Sequence, residues 1–107
     1  MAQFEIEARS EGSTEIIAVR GDVDMDSSPR LRDQIQSSLR GCTTLRVDLQ
    51  GVEYLDSSGI AVLIQGLKWA QKADVPYVLV EPSSQVRQVI DLAQLNQLFT
   101  IEPPGDS

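Results

Sequence analysis

Short strand-like runs alternate with helical stripes along this chain, and that alternation limits the folds that it can adopt. Val47 and Leu49 alternate with charged residues and indicate one strand, and the continuous apolar run at 77–80 indicates another. Between them, apolar residues recur at helical spacing over about 60–72. A helix that connects two neighbouring strands in this way makes a right-handed crossover between parallel strands. The sequence therefore predicts an α/β fold with a mostly parallel sheet.

The N-terminal half of the chain extends this pattern. Alternation over 4–9 and an apolar run within 14–20 predict two strands that are joined by a hairpin turn. An apolar residue every four positions over 31–39 predicts a helix. Ser28, which precedes a proline, is the predicted N-cap of this helix, and Gly41 is its predicted C-terminal stop.

The C-terminal part adds a third helix and one more short apolar segment. Ser84 suits the N-cap of that helix, and the apolar residues of 95–101 predict a short last strand. We expect residues 102–107 to form a flexible tail. The predicted order is β-β-α-β-α-β-α-β in a single domain over 1–107, with its core at about 4–101.

Charge and composition exclude several classes of function. The formal net charge is −7, which opposes binding to nucleic acid or to an anionic membrane surface and suits a basic protein partner. The chain has no histidine, the commonest general base, and Cys42 is its single cysteine. We therefore expect neither an enzyme nor a metal or cofactor site.

The location of the protein is predicted from the same sequence. The N-terminus is polar and acidic and has no basic region before an apolar core, so it does not resemble a signal peptide. No apolar stretch reaches the length of about 18 residues that a membrane-spanning helix needs. We expect a cytoplasmic protein without membrane insertion.

The segment "LDSSGIAVLI" at residues 55–64 is the main candidate site. Ser57 and Ser58 fall where the second helix is predicted to begin, so one of them is expected to be its N-cap. A serine at a helix start is exposed, and a phosphate there would face free amides and the positive end of the helix dipole. Phosphorylation would also add about 1.5 to 2 negative charges beside Asp56.

A second interpretation of the serine pair is a catalytic nucleophile. Such a serine needs a base to accept its proton and an oxyanion site. The chain has no histidine and no G-x-S-x-G motif. A small hydrolase or phosphatase is therefore disfavoured.

The acidic segment "DVDMD" is the second candidate. Asp22, Asp24 and Asp26 have the spacing of the first ligands of an EF-hand loop. However, Ser27 stands where that loop requires glycine, and Pro29 interrupts it. We expect a solvated acidic loop before a helix, and a candidate partner surface.

Two aromatic residues, Tyr54 and Trp69, are of the kind that anchors protein interfaces. Partial burial on a small domain explains each of them more simply, and it is the interpretation that we favour.

The motifs together resemble a known family. "VRGDVDMDSSPRLRDQI", "LRVDLQGVEYLDSSGIAVLIQGLKWAQ" and "VPYVLVEPSSQVRQVIDLAQLNQLFTI" resemble a STAS domain of the anti-sigma-factor antagonist type. The likeness runs from about residue 16 to residue 101. It implies a small mixed sheet of four or five strands with helices packed mainly on one side.

The resemblance also implies a mechanism, in which such antagonists bind an anti-sigma factor that is also a serine kinase. The kinase phosphorylates the serine after the aspartate, here Ser57 with Ser58 as the backup acceptor, and a serine phosphatase reverses the modification. Unmodified antagonist holds the anti-sigma factor and frees the sigma factor for transcription. The residues that this implies at the docking face are Asp22, Asp24, Asp56, Ser57, Ser58 and Gly59.

One alternative within the family stays open. Single-domain STAS proteins also accompany lipid-transporting ABC systems, where the domain braces the ATPase. There the equivalent serine or threonine is a binding contact. The two adjacent serines favour the sigma-factor branch.

Overall fold

The computed structural model describes residues 3–102. They form five strands and three helices in the predicted order: β1 (Glu5–Glu11), β2 (Thr14–Val23), α1 (Ser28–Leu39), β3 (Thr44–Leu55), α2 (Ser57–Ala73), β4 (Tyr77–Val80), α3 (Ser84–Leu92) and β5 (Thr100–Glu102). The short last strand is confirmed, and it includes the first residue of the predicted tail. The rest of that tail, 103–107, lies outside the described residues.

The five strands form one mixed sheet in the order β1-β2-β3-β4-β5. β1 and β2 are an antiparallel hairpin, and β2 to β5 are parallel to one another. Each of the three helices connects neighbouring parallel strands, and the sheet grows in one direction at every step. Crossovers of a single, right-handed type then place all three helices on the same face. The predicted fold class is confirmed.

The two faces of the sheet differ as this topology requires. On β3, Leu45, Val47 and Leu49 point to the helices and are fully buried, while Arg46 and Asp48 point to the other face and are half-buried. The guanidinium of Arg46 forms an ion pair with Glu102 that reaches across β4 and holds the short edge strand. The core is therefore a single layer between the sheet and the helices.

Helix α2 packs closely because it has glycines seven residues apart. A Cβ atom at Gly66 would lie 2.6 Å from the hydroxyl of Tyr77 and 3.1 Å from a methyl of Ile35. The Tyr77 hydroxyl is buried and donates a hydrogen bond to the carbonyl of Leu63. Glycine at 66 lets α2 approach both β4 and α1.

Two predicted helix caps are wrong by one residue. α1 begins at Ser28, and its N-cap is Ser27, whose side chain bonds to the preceding loop instead of the helix. α3 begins at Ser84, and its N-cap is Ser83, whose hydroxyl accepts from the amide of Val86 at 3.2 Å. The Ser83 hydroxyl also donates to the carbonyl oxygen of residue 52 on β3 at 2.6 Å, which fixes this serine as the cap.

No helix within residues 3–102 has the length and apolar character that crossing a membrane requires.

Candidate functional site

The predicted site residues meet at the carboxyl ends of β2 and β3. Val23 pairs with Leu55 in the parallel ladder, and the amide of Asp56 donates to the carbonyl of Val23 at 3.2 Å. The acidic loop that follows β2 and the start of α2 that follows β3 are therefore neighbours. The fold brings Asp22 and the DSSG segment to one edge of the sheet.

Asp56 is the N-cap of α2, and the prediction that a serine caps this helix is wrong. One carboxylate oxygen of Asp56, Oδ1, accepts from the amide of Ser58 at 2.9 Å and from the amide of Gly59 at 3.2 Å. Its backbone is extended, as N-cap residues are. Aspartate is as good a cap as serine and adds a negative charge at the positive end of the helix dipole. An aspartate directly before the serine pair is already an N-cap candidate in the sequence.

The two serines of the pair have different environments. The hydroxyl of Ser58 donates to Asp56 Oδ1 at 2.5 Å, and Ser58 is half-buried. Ser57, the first residue of α2, is exposed. Within residues 3–102, no hydrogen bond engages its hydroxyl. Ser57 is therefore the accessible hydroxyl of the pair, and Ser58 is part of the helix cap.

The capping arrangement changes the surroundings that were expected for a phosphate. Asp56 already occupies the amides of Ser58 and Gly59, and the amide of Ile60 donates to the Asp56 carbonyl. These three groups are not free to receive a phosphate on Ser57. The expectation of free amides at this helix start is corrected accordingly.

The carboxylate of Asp56 is held in its charged form. The hydroxyl of Ser58 lowers the pKa of Asp56 below its usual value, and the amides of Gly59 and Ser58 add to this effect. Hydrogen bonds that favour the charged form of a carboxyl group have this effect in general. A fixed negative charge therefore stands next to Ser57 at neutral pH.

Gly59 allows the first turn of α2 to pack closely against the sheet. A Cβ atom here would lie 2.4 Å from a methyl of Leu55 and 2.9 Å from a methyl of Val23, and both of these side chains are buried. Gly59 is buried as well. Its position in the motif is explained by close packing, and a partner contact at Gly59 stays a prediction.

Asp24 organises the acidic loop. Its Oδ1 accepts from the amides of Asp26 and Ser27 at 3.0 and 3.1 Å, and its own amide donates to the hydroxyl of Ser27 at 3.0 Å. The Ser27 hydroxyl also bonds to the carbonyl of Asp22 at 2.9 Å. The loop is thus a fixed turn, and the interpretation as a metal loop is further disfavoured because Asp24 is committed to backbone groups.

A cavity of about 380 Å³ lies beside this loop. The guanidinium of Arg30 stacks over the ring of Phe4, 5.0 Å from its centroid, and forms part of the wall. The remaining lining residues are Gln3, Asp22, Asp24, Asp26 and Ser27. The lining thus includes three acidic residues and one basic residue, and this edge of the molecule is acidic.

Sequence reasoning missed one conspicuous residue at this edge. Met25 is 77 % exposed at the tip of the acidic loop, and Tyr54 on β3 is 52 % exposed. Partial burial is confirmed for Trp69, which is half-buried, but Tyr54 is more open than expected. Met25 is a large apolar residue in a polar loop and belongs to no helical or strand periodicity. This pattern could have indicated that its side chain is exposed.

Comparison with known proteins assigns the family. Residues 6–101 match a protein-family model that is described as "Mlab, STAS domain". The chain belongs to the STAS family. The resemblance that the sequence motifs carried is thereby confirmed.

Two curated relatives of this STAS domain are antagonists of an anti-sigma factor. The anti-sigma-B factor antagonist of Bacillus subtilis is 26% identical over 90 residues, which are 84% of this chain and 83% of the relative. The anti-sigma-B factor antagonist of Listeria monocytogenes is 24% identical over 87 residues, which are 80% of this chain and 76% of the relative.

Solved structures share the fold. An anti-sigma factor antagonist from Mycobacterium paratuberculosis superposes with a TM-score of 0.87 at 24% identity, over 97% of this chain and 89% of that one. SpoIIAA in its unphosphorylated form has a TM-score of 0.76 at 20% identity, over 97% and 91% of the two chains. The phosphorylated form of Bacillus SpoIIAA has a TM-score of 0.72 at 19% identity, over 97% and 95%.

Proposed function

We propose that this STAS domain is an anti-sigma-factor antagonist that is switched off by phosphorylation of Ser57. In the unmodified state it binds an anti-sigma factor that is also its serine kinase, which releases the sigma factor for transcription. A serine phosphatase returns the modified protein to the binding state. The names of the curated relatives support the class of partner.

The observation that carries the proposal is the difference between the two serines of the DSSG segment. Ser57 is exposed at the first position of α2, while the hydroxyl of Ser58 is held by Asp56 at 2.5 Å. A kinase that modified Ser58 would have to break this bond and place a phosphate against a carboxylate. Modification of Ser57 leaves the cap of the helix intact.

Charge explains how a phosphate on Ser57 would prevent binding. Asp56, whose pKa is lowered by its hydrogen bonds, and the acids of the 22–26 loop already make this edge negative. A phosphate adds about 1.5 to 2 further negative charges. Juxtaposed like charges at an interface cost several kcal/mol, and about 2.7 kcal/mol already reduces affinity roughly a hundredfold.

The proposal requires no change of fold on phosphorylation. Asp56 satisfies the amides of Ser58 and Gly59 whether or not Ser57 is modified, so the first turn of α2 keeps its cap. SpoIIAA supports this point, because its unphosphorylated and phosphorylated forms both match this fold.

In this proposal the domain is a binding protein and a substrate, and it performs no chemistry itself. In this proposal Asp22, Asp56 and Ser57 belong to the docking face, and Asp24 contributes by holding the neighbouring turn. Ser57 has no histidine to activate it, because the chain contains none. Asp56 Oδ1 accepts from the hydroxyl of Ser58, and within residues 3–102 no hydrogen bond joins Asp56 to the hydroxyl of Ser57.

Mass spectrometry tests the site of modification. The purified protein is incubated with ATP and with each serine-kinase anti-sigma factor of its source organism. We expect phosphate on Ser57 in the wild type and in Ser58→Ala, and none in Ser57→Ala. Ser84 is a matched internal control, because it too is an exposed serine at the first position of a helix. Modification of neither Ser57 nor Ser58 would show that the proposed switch is wrong.

The second candidate is the accessory subunit of a lipid-transporting ABC system. One observation favours keeping it: the matching family model is described by the name Mlab and not as an antagonist. The same edge of the domain would then contact a transport ATPase, with Ser57 as a contact residue. Stable co-purification with such an ATPase, together with the absence of kinase-dependent modification, would favour this function over the first.

A further inference from the structure

Large exposed apolar side chains mark two opposite edges of the molecule. Among residues 3–102 they are Met25, Tyr54, Leu92 and Leu98. Tyr54 pairs with Asp22 in the ladder between β2 and β3, and Met25 lies two residues beyond the end of β2. Both stand at the edge where α2 begins. Leu92 ends α3 and Leu98 precedes β5, so these two lie at the amino-terminal edge of the parallel strands.

The exposure of Met25 is imposed by a fixed turn. The residues on either side of it are tied together, because Asp24 Oδ1 accepts from the amide of Asp26 at 3.0 Å and the amide of Asp24 donates to the hydroxyl of Ser27 at 3.0 Å. The amide of Ser28 closes the turn on the carbonyl of Asp24 at 2.8 Å. Met25 contributes little packing to this turn, since 77 % of it is exposed.

We infer that Met25 is the apolar anchor by which the anti-sigma factor recognises the unmodified protein, with Tyr54 as a second contact. This rests on the proposed function and identifies where its binding energy comes from. Methionine and tyrosine are enriched at protein interfaces, and methionine adapts its shape to a partner's pocket. A few such side chains supply most of the affinity of an interface.

The charges around the anchor define the chemistry of the partner surface. Asp24 and Asp26 flank Met25 in the loop, Asp22 lies at the end of β2, and Asp56 stands at the start of α2. The complement of the acidic loop is an apolar pocket for Met25 with lysine or arginine side chains opposite the loop carboxylates. A phosphate on Ser57 would add its negative charge next to Asp56 at the start of α2, outside the part of the interface that these basic side chains complement. The anchor and the switch are thus separate contributions to one interface.

The test compares two substitutions that remove similar exposed surface from opposite edges. Met25→Gln and Leu92→Gln both exchange an exposed apolar side chain for a polar one, and Leu92 is 84 % exposed. Calorimetry measures the affinity of each variant and of Ser57→Asp for the purified serine-kinase anti-sigma factors of the source organism. Thermal unfolding of all three variants serves as the control for folding.

We expect Met25→Gln to weaken binding about tenfold or more, and Leu92→Gln to leave it unchanged. The loss for Met25→Gln persists at high salt because it is apolar, whereas the loss for Ser57→Asp decreases as salt screens the charges. Unchanged affinity of Met25→Gln, or an equal loss for Leu92→Gln, would show that Met25 is not the apolar anchor. The affinity of Ser57→Asp would still test the proposed phosphorylation switch. Absence of binding to every anti-sigma factor overturns the proposed function, and the anchor with it.

Discussion

Helices α2 and α3 both begin next to two consecutive serines, but different kinds of residue cap them. At α2 the cap is Asp56, which precedes the pair and also holds the hydroxyl of Ser58. At α3 the cap is Ser83, the first serine of the pair, and its hydroxyl is bound to β3. Each helix thus leaves one serine exposed at its first position, Ser57 or Ser84.

The difference between the two helix starts lies in the charge that surrounds the exposed serine. Ser57 follows a carboxylate whose pKa is lowered, and the acidic 22–26 loop lies at the same edge of the sheet. Ser84 follows a neutral cap. A helix start becomes suited to a charge-based switch when its cap is itself charged and independent of the modified residue.

The largest expected effect is on the affinity for the anti-sigma factor, and it should differ between the two exposed serines. Ser57→Asp adds a negative charge beside Asp56, and we expect it to weaken binding to the anti-sigma factor between about tenfold and a hundredfold. Ser84→Asp adds the same charge beside a neutral cap and should change affinity less than about threefold. Surface charges of this kind leave the melting temperature of both variants nearly unchanged.

Calorimetric titration of both variants with the same anti-sigma factor makes this measurement. Equal affinity of Ser57→Asp and the wild type contradicts the electrostatic account of the switch. A comparable loss in both variants would instead show that the charge of the whole edge matters, and not its position beside Asp56.

The second prediction concerns how each helix is held to the sheet. α2 rests on Val23 and Leu55 through Gly59, while α3 is held by a hydrogen bond from Ser83. Gly59→Ala places a methyl 2.4 Å from Leu55. Overpacking of about 1–3 kcal/mol is offset in part by the helical preference of alanine, up to about 1 kcal/mol, so we expect a net loss of about 1 kcal/mol.

Gly41→Ala is the control for that substitution. Gly41 follows α1, and a Cβ atom there would meet no atom within 4 Å. Without strain, the exchange stabilises by about 0.4–1 kcal/mol through the unfolded chain. Urea unfolding of the two variants should therefore give changes of opposite sign, and a stabilised Gly59→Ala would show that α2 can shift away from β2 and β3.

The sequence allowed the elements and their order to be predicted, because the periodicities of strands and helices are local properties. Alternation at Val47 and Leu49 and the helical stripe over about 60–72 each lie within one continuous segment of the chain. Parallel strands then put the end of β2 beside the end of β3, which is why Asp22 and Ser57 share one edge.

The details of the site could not be predicted in the same way. Asp56, Ser57 and Ser58 all suit an N-cap, and the choice among them depends on the extended backbone of Asp56 and on where β3 ends. The cap of α3 depends on a hydrogen bond between Ser83 and a strand 31 residues away. Competition between residues of equal local preference is decided by tertiary contacts.

The smallest expected effect tests whether the charge of the α2 cap matters as well as its hydrogen bonds. Asn is as good a cap as Asp, so Asp56→Asn keeps the capping geometry and removes the charge. We expect a loss of about 0.3–1 kcal/mol at pH 7, the usual size of a charge–dipole interaction at a helix end. Ser83→Ala should cost about 1 kcal/mol through the loss of a neutral cap.

The two cap variants should differ in their dependence on pH. The pKa of Asp56 is lower in the folded protein than in the unfolded chain, where it is about 3.9. Its charge therefore stabilises the fold above that value, and the contribution is lost as the pH falls through the folded pKa. The difference between wild type and Asp56→Asn in urea unfolding should shrink below about pH 4, while the cost of Ser83→Ala stays constant. A pH-independent cost for Asp56→Asn would mean that the charge of Asp56 adds nothing to the stability of the fold and that the variant loses hydrogen-bond geometry instead.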